Sequence, residues 1–364
     1  MSELLVVAGE PSGDRAAAKV VERLVSRGAR PFGLVGAATE AAGAEACARV
    51  RPALGVLDVA ARAGALAVAM ARVRAAVRAR RPRAALLVNY TDFNARLLGF
   101  LAREGVRVLW YAAPQIWAWR PRRGRTIARG ARAMAVILPF EEALWRERGA
   151  DARYVGHPST EVERLDRATA RRAVGLAAEG RALAVMPGSR ASEVRRLLPA
   201  MLEAAAHVEA RVLLTRALDD ATRAWANARA REAHVPVHDV TADEGAPRVL
   251  AAFDAALCAS GTASLECALA GVPPVVAYRL DALAAFVARR ALRTPHVALP
   301  NVLLGRRAFP ELLQDDARPD RMRAALGALE ASETARADCE EVARALGVGH
   351  VPSHAVSEMI APWL

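Results

Sequence analysis

The segment Asp254-Ala-Ala-Leu-Cys-Ala-Ser-Gly-Thr-Ala-Ser-Leu-Glu-Cys-Ala-Leu-Ala-Gly-Val-Pro-Pro-Val-Val-Ala-Tyr-Arg279 decides the fold class. Its apolar start predicts a short strand, and the Ser260-Gly-Thr262 turn then opens a predicted helix to about Ala270. Gly271 ends this helix, and residues 275–278 are predicted as the next strand. This order of elements is typical of a parallel α/β sheet.

The turn of Ser260, Gly261 and Thr262 is suited to an anion. The first N–H groups of a helix lack helical partners, and the helix dipole adds positive charge there, so a diphosphate fits. Glu266 lies one helical turn further, where a carboxylate is able to bind two ribose hydroxyls. The competing interpretation is an ordinary corner between strand and helix, capped by Ser or Thr.

The composition indicates a folded protein of two domains. The chain has 364 residues, 54% hydrophobic and 25% charged, and no apolar run of membrane-spanning length or secretion signal is evident. The net charge of +12 comes almost entirely from arginine. It favours phosphorylated substrates, anionic membranes or nucleic acid as partners, or reflects a biased genome composition. Four cysteines lack metal-ligand spacing and are typical of core residues in a reducing cytosol: Cys47, Cys258, Cys267 and Cys339.

Strands and helices alternate along the chain, which predicts doubly wound parallel sheets with helices on both faces. The pattern restarts with a strand at 183–186, so we predict domains at 1–158 and 159–331. The helix and tail at 332–364 are expected to pack on the first domain or on a partner subunit. Two such domains facing one another would leave a cleft at the carboxyl ends of their strands, where ligands bind.

Two polar turns follow predicted strands of the first domain. Gly9-Glu-Pro-Ser-Gly-Asp14 allows close backbone approach and offers Glu10, Ser12 and Asp14 at a helix N-terminus, although it matches no phosphate-loop or dinucleotide fingerprint. Asn89-Tyr-Thr-Asp-Phe-Asn94 places Asp92 where it is able to take a proton from a substrate hydroxyl, with partial burial raising its basicity. Alternatively, Asp92 is only the N-cap of a helix that begins at Phe93.

Three further segments carry candidate binding groups. Pro187-Gly-Ser-Arg190 opens a helix with an arginine that is able to hold phosphate oxygens through two hydrogen bonds. Asn301 is predicted in a turn, where its amide either binds a diphosphate or sugar or only stabilises the turn. Gln115, Trp117 and Trp119 precede an arginine run that faces lipid head groups or an acceptor phosphate, or else is a solvated surface. His157 and His296 lack ligand spacing, so no metal is expected.

Taken together, these segments resemble the lipid-A-disaccharide synthase family of glycosyltransferases. The matching stretches stand in the family's order from the first strand to beyond residue 300. They are Ala8-Gly-Glu-Pro-Ser-Gly-Asp14, Asp92-Phe-Asn94, Gln115-Ile-Trp-Ala-Trp-Arg120, Leu138-Pro-Phe-Glu141, Gly156-His-Pro158, Met186-Pro-Gly-Ser-Arg190, Ala259-Ser-Gly-Thr-Ala-Ser-Leu-Glu266, Tyr278-Arg279 and Leu299-Pro-Asn301.

The resemblance implies a GT-B fold, with two facing doubly wound domains and nucleotide held mainly by the second. It implies an inverting, cofactor-free and metal-independent reaction. UDP-2,3-diacylglucosamine would join 2,3-diacylglucosamine 1-phosphate to give the β-1,6-linked disaccharide 1-phosphate and UDP. The expected location is the cytoplasmic, anionic face of the inner membrane, bound peripherally, with a homodimer among the expected assemblies and no nucleic acid as partner.

The resemblance also implies roles for single residues. Asp92 would be the base that deprotonates the acceptor 6-hydroxyl, and Arg190 would stabilise the leaving UDP. Glu10 would be a further catalytic residue and would line the acceptor side. The acceptor side would further include Gly9, Ser12, Gln115 and Trp117. The UDP side would comprise Gly188, Ser189, Arg190, Ser260, Gly261, Thr262, Glu266, Arg279 and Asn301.

The chain departs from the family pattern at two places. The family usually has an Asp and a Pro where this chain has Asn89 and Thr91, which makes Asp92 the only carboxylate of that pair. Residues 54–70 keep little of the family's apolar loop, so membrane attachment is expected to depend more on the arginine-bearing helix at 72–83. The alternatives are a UDP-sugar epimerase or hydrolase, or an inactive nucleotide-binding module at the membrane.

Overall fold

The computed structural model describes residues 2–48, 58–118, 121–240, 245–281, 294–347 and 349–364. The described chain divides into two compact units, 1–161 together with 349–364, and 162–348. Each unit is built on one parallel sheet. Trp119 and Arg120 of the aromatic and basic segment, and residues 54–57 of the predicted membrane loop, lie outside the described residues.

The first unit contains a seven-stranded sheet in the order β3-β2-β1-β4-β5-β6-β7. Its strands are Ser2–Ala8 (β1), Ala29–Leu34 (β2), Glu45–Ala48 (β3), Ala84–Val88 (β4), Arg107–Tyr111 (β5), Ala133–Val136 (β6) and Ala152–Tyr154 (β7). Its helices are Pro11–Val25 (α1), Ala37–Ala41 (α2), Asp58–Arg80 (α3), Thr91–Arg103 (α4), Gly124–Gly130 (α5) and Glu141–Arg146 (α6).

The second unit contains a six-stranded sheet in the order β10-β9-β8-β11-β12-β13. Its strands are Leu183–Met186 (β8), Ala210–Thr215 (β9), Val237–Val240 (β10), Ala255–Ala259 (β11), Pro274–Tyr278 (β12) and Glu311–Leu313 (β13). The helices that follow β7 along the chain are Arg167–Ala173 (α7), Ala191–Ala204 (α8), Asp220–Glu232 (α9), Thr262–Leu269 (α10), Leu299–Leu304 (α11), Pro319–Glu330 (α12), Ala335–Ala345 (α13) and Pro352–Ile360 (α14).

Both sheets are covered on both faces, which explains why their central strands are continuously apolar. In β1, Leu5 and Val7 join one core cluster, whereas Leu4 and Val6 join the cluster on the other face. The strand β11 divides its side chains between two clusters of the second unit in the same way. The alternation follows from the period of two along a strand.

The C-terminal segment divides between the units. Helix α13 belongs to the second unit, whereas α14 and the final residues return to the first. Ser353 of α14 donates hydrogen bonds from N (3.0 Å) and Oγ (2.8 Å) to Oε1 of Glu161, and Arg23 of α1 donates to the same hydroxyl at 2.9 Å. Of the helix and tail expected at 332–364, the helix α13 thus lies in the second unit and the tail from 349 in the first, and the first unit extends to Glu161, close to the predicted boundary at 158.

Candidate functional site

Both sheets reverse their strand order beside the first strand of the unit. In the first unit this switch point lies between β1 and β4, and in the second between β8 and β11. The loops after the two strands of a switch point leave toward opposite sides, which opens a crevice at the carboxyl ends where open α/β sheets bind ligands. Glu10 and Asp92 follow β1 and β4, while Arg190 and Ser260 follow β8 and β11.

At the first switch point, Asn89 connects the ends of β4 and β1. Its Nδ2 donates a hydrogen bond of 2.8 Å to Oε2 of Glu10, the N-cap residue of α1. The backbone of Asn89 donates to Tyr111 O at 3.0 Å and accepts from Asn94 Nδ2 at 2.8 Å. This contact, between residues 79 positions apart, was not predicted from the sequence.

Gly9 is required by the packing of an aromatic ring. A Cβ atom at Gly9 would lie 2.4 Å from the ring of Tyr90, which stacks on Phe93 with 5.3 Å between ring centroids. In the same turn, Asp14 is buried and binds the start of α2, accepting from Gly36 N at 2.9 Å and Ala38 N at 3.0 Å. Asp14 therefore has a structural task. Ser12 lies half-buried in the first turn of α1.

Asp92 is the second residue of α4, whose N-cap is Tyr90, so the interpretation of Asp92 as the N-cap is wrong. Its side chain is 68% exposed, which also contradicts the expected partial burial. Arg123 Nη1 lies 2.5 Å from Oδ1 of Asp92. The carboxylate is therefore accessible and lies beside a guanidinium group of the predicted arginine run.

Trp117 is held by a buried carboxylate that the sequence did not single out as functional. Its Nε1 donates to Oε1 of Glu141 at 3.0 Å, and Oε2 of Glu141 accepts from the amides of Ile137 (3.3 Å) and Leu138 (3.1 Å). Burial raises the pKa of Glu141 to about 7, although these hydrogen bonds oppose the rise. Gln115, two residues before Trp117, is exposed.

In the second unit, the turn after β8 is closed by its own helix. Ser189 N (3.2 Å) and Arg190 N (3.3 Å) donate to Oε2 of Glu193, and Arg190 Nη1 donates to Oε1 at 3.2 Å. Gly188 has φ 113°, and a Cβ there would lie 2.5 Å from the Glu193 carboxylate. The amides predicted to bind a diphosphate are thus already bound by a carboxylate of the same helix, and Arg190 forms an ion pair with that carboxylate.

The helix after β11 has a glycine, not Ser or Thr, as its N-cap residue. Gly261, with φ 134°, is the N-cap of α10, and Thr262 is the first helical residue. Ser260 Oγ donates to Val297 O at 3.0 Å. Glu266 is 6% exposed, and its charge attracts the Arg164 guanidinium, whose pKa is lowered by burial.

Asn301 lies in helix α11, not in a turn, and its amide is engaged within the second unit. Nδ2 donates to Phe309 O and to Glu311 Oε1, both at 2.8 Å, and Oδ1 accepts from Phe309 N at 2.9 Å. Oε1 of Glu311 also accepts from Val297 N at 3.2 Å. Asn301 and Glu311 therefore fix the segment that binds Ser260, a task that only the folded chain reveals.

Arg279 follows β12 and lines a groove together with Arg195 and Arg196 of α8. Next to it, burial raises the pKa of Tyr278; the charge of Glu193 adds to this rise and that of Arg190 opposes it. The positive groups of this edge are therefore close to a carboxylate and a phenol.

His157 is buried, and burial lowers its pKa to about 4 while its Nδ1 accepts from Ser159 N at 3.1 Å. Within the described ranges, His, Cys, Asp and Glu side chains form no group of three that suits a metal ion. Among the helices in the same ranges, none is both long and apolar enough to cross a bilayer.

Comparison with solved structures shows the same fold. A calicheamicin glycosyltransferase, CalG4, matches with a TM-score of 0.65 at 16% identity, covering 100% of this chain and 98% of that one. A putative UDP-N-acetylglucosamine 2-epimerase of Listeria monocytogenes gives a TM-score of 0.68 at 12% identity, covering 100% and 96%. MurG of Acinetobacter baumannii gives 0.58 at 14%, covering 100% of both. The fold is therefore the GT-B arrangement of two Rossmann-like domains.

Sequence comparison is more specific than the fold. The family model for lipid-A-disaccharide synthetase matches residues 4–351. A lipid-A-disaccharide synthase of Anaeromyxobacter sp. (strain K) is 40% identical over 98% of this chain and 97% of its own length. That of Myxococcus xanthus (strain DK1622) is 42% identical over 88% and 85%. The chain therefore belongs to the lipid-A-disaccharide synthase family.

Proposed function

We propose that this chain is an inverting glycosyltransferase that joins UDP-2,3-diacylglucosamine to 2,3-diacylglucosamine 1-phosphate, giving the β-1,6-linked lipid A disaccharide 1-phosphate and UDP. The observation that carries the proposal is the family match over residues 4–351. The positions of Glu10, Asp92, Arg190 and Ser260, after the strands of the two switch points, support it. We further propose that the reaction needs no metal ion.

In this proposal the first unit binds and deprotonates the acceptor. The acceptor 6-oxygen attacks the anomeric carbon of the donor sugar, its proton passes to Asp92, and the bond from that carbon to UDP breaks. Asp92 is accessible to a hydroxyl, and Arg123 beside it offers a cation to the acceptor's phosphate. Glu10 lies at the same switch point, and Gly9, Ser12, Gln115 and Trp117 complete the acceptor side.

The second unit handles UDP. Arg190 exchanges Glu193 for the diphosphate, so that its positive charge stabilises the leaving group together with the Gly188 and Ser189 backbone. The turn of Ser260, Gly261 and Thr262 receives the diphosphate through backbone N–H groups, and Glu266 binds the ribose. Arg279 adds positive charge, and Asn301 acts through Glu311 by fixing the segment that binds Ser260.

Because both proposed substrates carry acyl chains, we further propose that the protein binds peripherally to the cytoplasmic face of the inner membrane. The arginines of the α3 region contribute to binding anionic lipid, although several also have protein partners. Arg74 and Arg78 lie 5.4 Å from the Phe100 ring centroid, and Arg80 pairs with Glu3 at 2.7 Å. Arg72 and Arg78, which are both exposed, are the arginines among these that lipid is able to reach. A homodimer stays a prediction.

Mass spectrometry of products from the two acylated substrates tests the proposal, and a disaccharide 1-phosphate is the expected product. Asp92→Asn should lower kcat about 10²- to 10⁴-fold because the base is lost, with UDP affinity unchanged. Asp151→Asn, an exposed aspartate of the same unit, is the matched control and should retain the wild-type rate. Wild-type turnover by Asp92→Asn would remove Asp92 as the base. Turnover of the UDP-sugar without acceptor would indicate an epimerase or hydrolase instead.

A further inference from the structure

The ends of β1 and β4 are joined by contacts that the proposed reaction leaves unexplained. Asn89 Nδ2 lies 2.8 Å from Oε2 of Glu10, and the Asn89 backbone is fixed on both sides, to Tyr111 O (3.0 Å) and Asn94 Nδ2 (2.8 Å). The side chain of Asn89 thus starts from a fixed backbone and ends on one carboxylate oxygen. Glu10 is the N-cap residue of α1, yet its carboxylate is turned to the neighbouring strand end.

The backbone at this point is strained. Asn89 has φ 48° and Tyr90 has φ 42°, so two consecutive residues with side chains adopt the left-handed conformation. Asn tolerates this conformation, but for a bulky residue such as Tyr it is an outlier. Strain of this kind persists where the surrounding structure imposes it, commonly at functional sites. Here it sets the Tyr90 ring against Gly9 and the Asn89 amide against Glu10.

In this contact the Asn89 amide donates and the Glu10 carboxylate accepts. A primary amide donates a hydrogen bond but does not ionise, so Asn89 satisfies a carboxylate without adding charge. Hydrogen bonding to the charged form of an acid favours that form, whereas a second carboxylate at the same place would disfavour it. The neighbouring carboxylate, Asp92, is instead balanced by Arg123.

We propose that Asn89 is a positioning residue, whose amide orients the Glu10 carboxylate to accept a hydrogen bond from a hydroxyl of the acceptor sugar. The proposal rests on the proposed function and assigns a task to a residue outside the proposed set of reacting groups. It implies that the acceptor, and not the UDP-sugar, is sensitive to changes at Asn89.

Asn89→Asp, which is nearly isosteric, is the decisive variant. This substitution places two carboxylates at hydrogen-bonding distance, and they share a proton. In the plot of kcat/KM for the acceptor against pH, the acid limb should therefore move up by about one pH unit or more. Asn89→Ala should lower kcat/KM for the acceptor about 10- to 100-fold by removing a hydrogen bond to a charged group, while KM for the UDP-sugar is unchanged. Asn227→Asp on α9 is the matched control and should leave the pH dependence of kcat/KM unchanged.

The double variant Glu10→Gln with Asn89→Asp separates positioning from stability. It restores a pair of one amide and one carboxylate, so thermal stability should return toward wild type while kcat/KM for the acceptor stays low. Recovery of both quantities would overturn the proposal, because any polar pair would then suffice. A profile of Asn89→Asp that superimposes on wild type would also overturn it. An inactive wild-type enzyme, measured in the same assay, would instead refute the proposed function.

Discussion

The two switch points hold their polar groups in different ways. In the first unit, side chains from separate strand ends contact one another: Glu10 binds Asn89, 79 residues away, and Asp92 pairs with Arg123, 31 residues away. In the second unit, Arg190 and Glu193 are only three residues apart and belong to one helix start. One site depends on how distant segments pack, and the other on local helix geometry.

The difference matches the ligands proposed for each unit. A sugar hydroxyl needs an acceptor such as a carboxylate, and the first switch point already presents Glu10 and Asp92. A diphosphate needs cations and amides, and in the turn after β8 the Arg190 guanidinium and the amides of Ser189 and Arg190 are already bound by Glu193. If UDP binds as proposed, it displaces or shares the Glu193 carboxylate at the turn after β8.

The largest effect expected from this comparison concerns Arg190. Arg190→Ala should lower kcat about 10²- to 10³-fold, because the cation proposed to stabilise the leaving group is lost. Arg190→Lys should recover only part of the rate, since an ammonium group lacks the planar fork of guanidinium. Steady-state kinetics with saturating acceptor measures both variants. Arg229→Ala, which removes an exposed arginine paired with Glu232, is the control, and an equal loss there would point to unspecific charge.

The buried Glu141 allows the long-range packing of the first unit to be tested by pH. Its pKa is raised to about 7. The contribution of protonated Glu141 to the free energy of unfolding is therefore complete below about pH 4.5 and is lost as the pH rises through 7. The corresponding loss is about 3 kcal/mol. His157, with its pKa lowered to about 4, acts in the opposite sense, because its contribution is lost as pH falls below about 6.5.

Urea unfolding of wild type against Glu141→Gln should isolate the effect of Glu141, because His157 contributes equally to both. The unfolding free energy of wild type minus that of Glu141→Gln should fall by about 3 kcal/mol between pH 4.5 and pH 7.5, because only the wild type loses the protonated Glu141. Gln also loses one acceptor, since its NH₂ would face the Trp117 indole N–H. Glu147→Gln, at an exposed neighbour, is the matched control for loss of a carboxylate. A constant difference for Glu141→Gln would show that Glu141 ionises normally.

The smallest effect is expected at Glu193. Glu193→Gln keeps an oxygen for the turn amides but removes the ion pair with Arg190, so UDP should bind about two- to fivefold more tightly. Isothermal titration of UDP measures this change. Weaker binding would mean that Glu193 mainly shapes the turn. The proposal that Glu193 competes with UDP for Arg190 and the turn amides would then be wrong.

Much of the fold was predictable because it is local. Apolar strands such as 84–88 and 183–186 are found where expected, since strands buried on both faces of a sheet must be continuously apolar. The turns at Gly188 and Gly261 are also found where expected, because their positive φ suits glycine. Asn301 shows the limit: its amide suggested a ligand, but Phe309 and Glu311, distant by eight and ten residues, engage it.

By itself, the sequence determined the alternation of strands and helices, the turns after them and the family, because each depends on residues close together in the chain or on their order. Only the tertiary structure decided that Asn89 binds Glu10, that Glu141 holds Trp117 and that Asp92 is exposed beside Arg123. Such contacts depend on which strand ends become neighbours and on the burial that results. Neither is encoded in the spacing of residues along the chain.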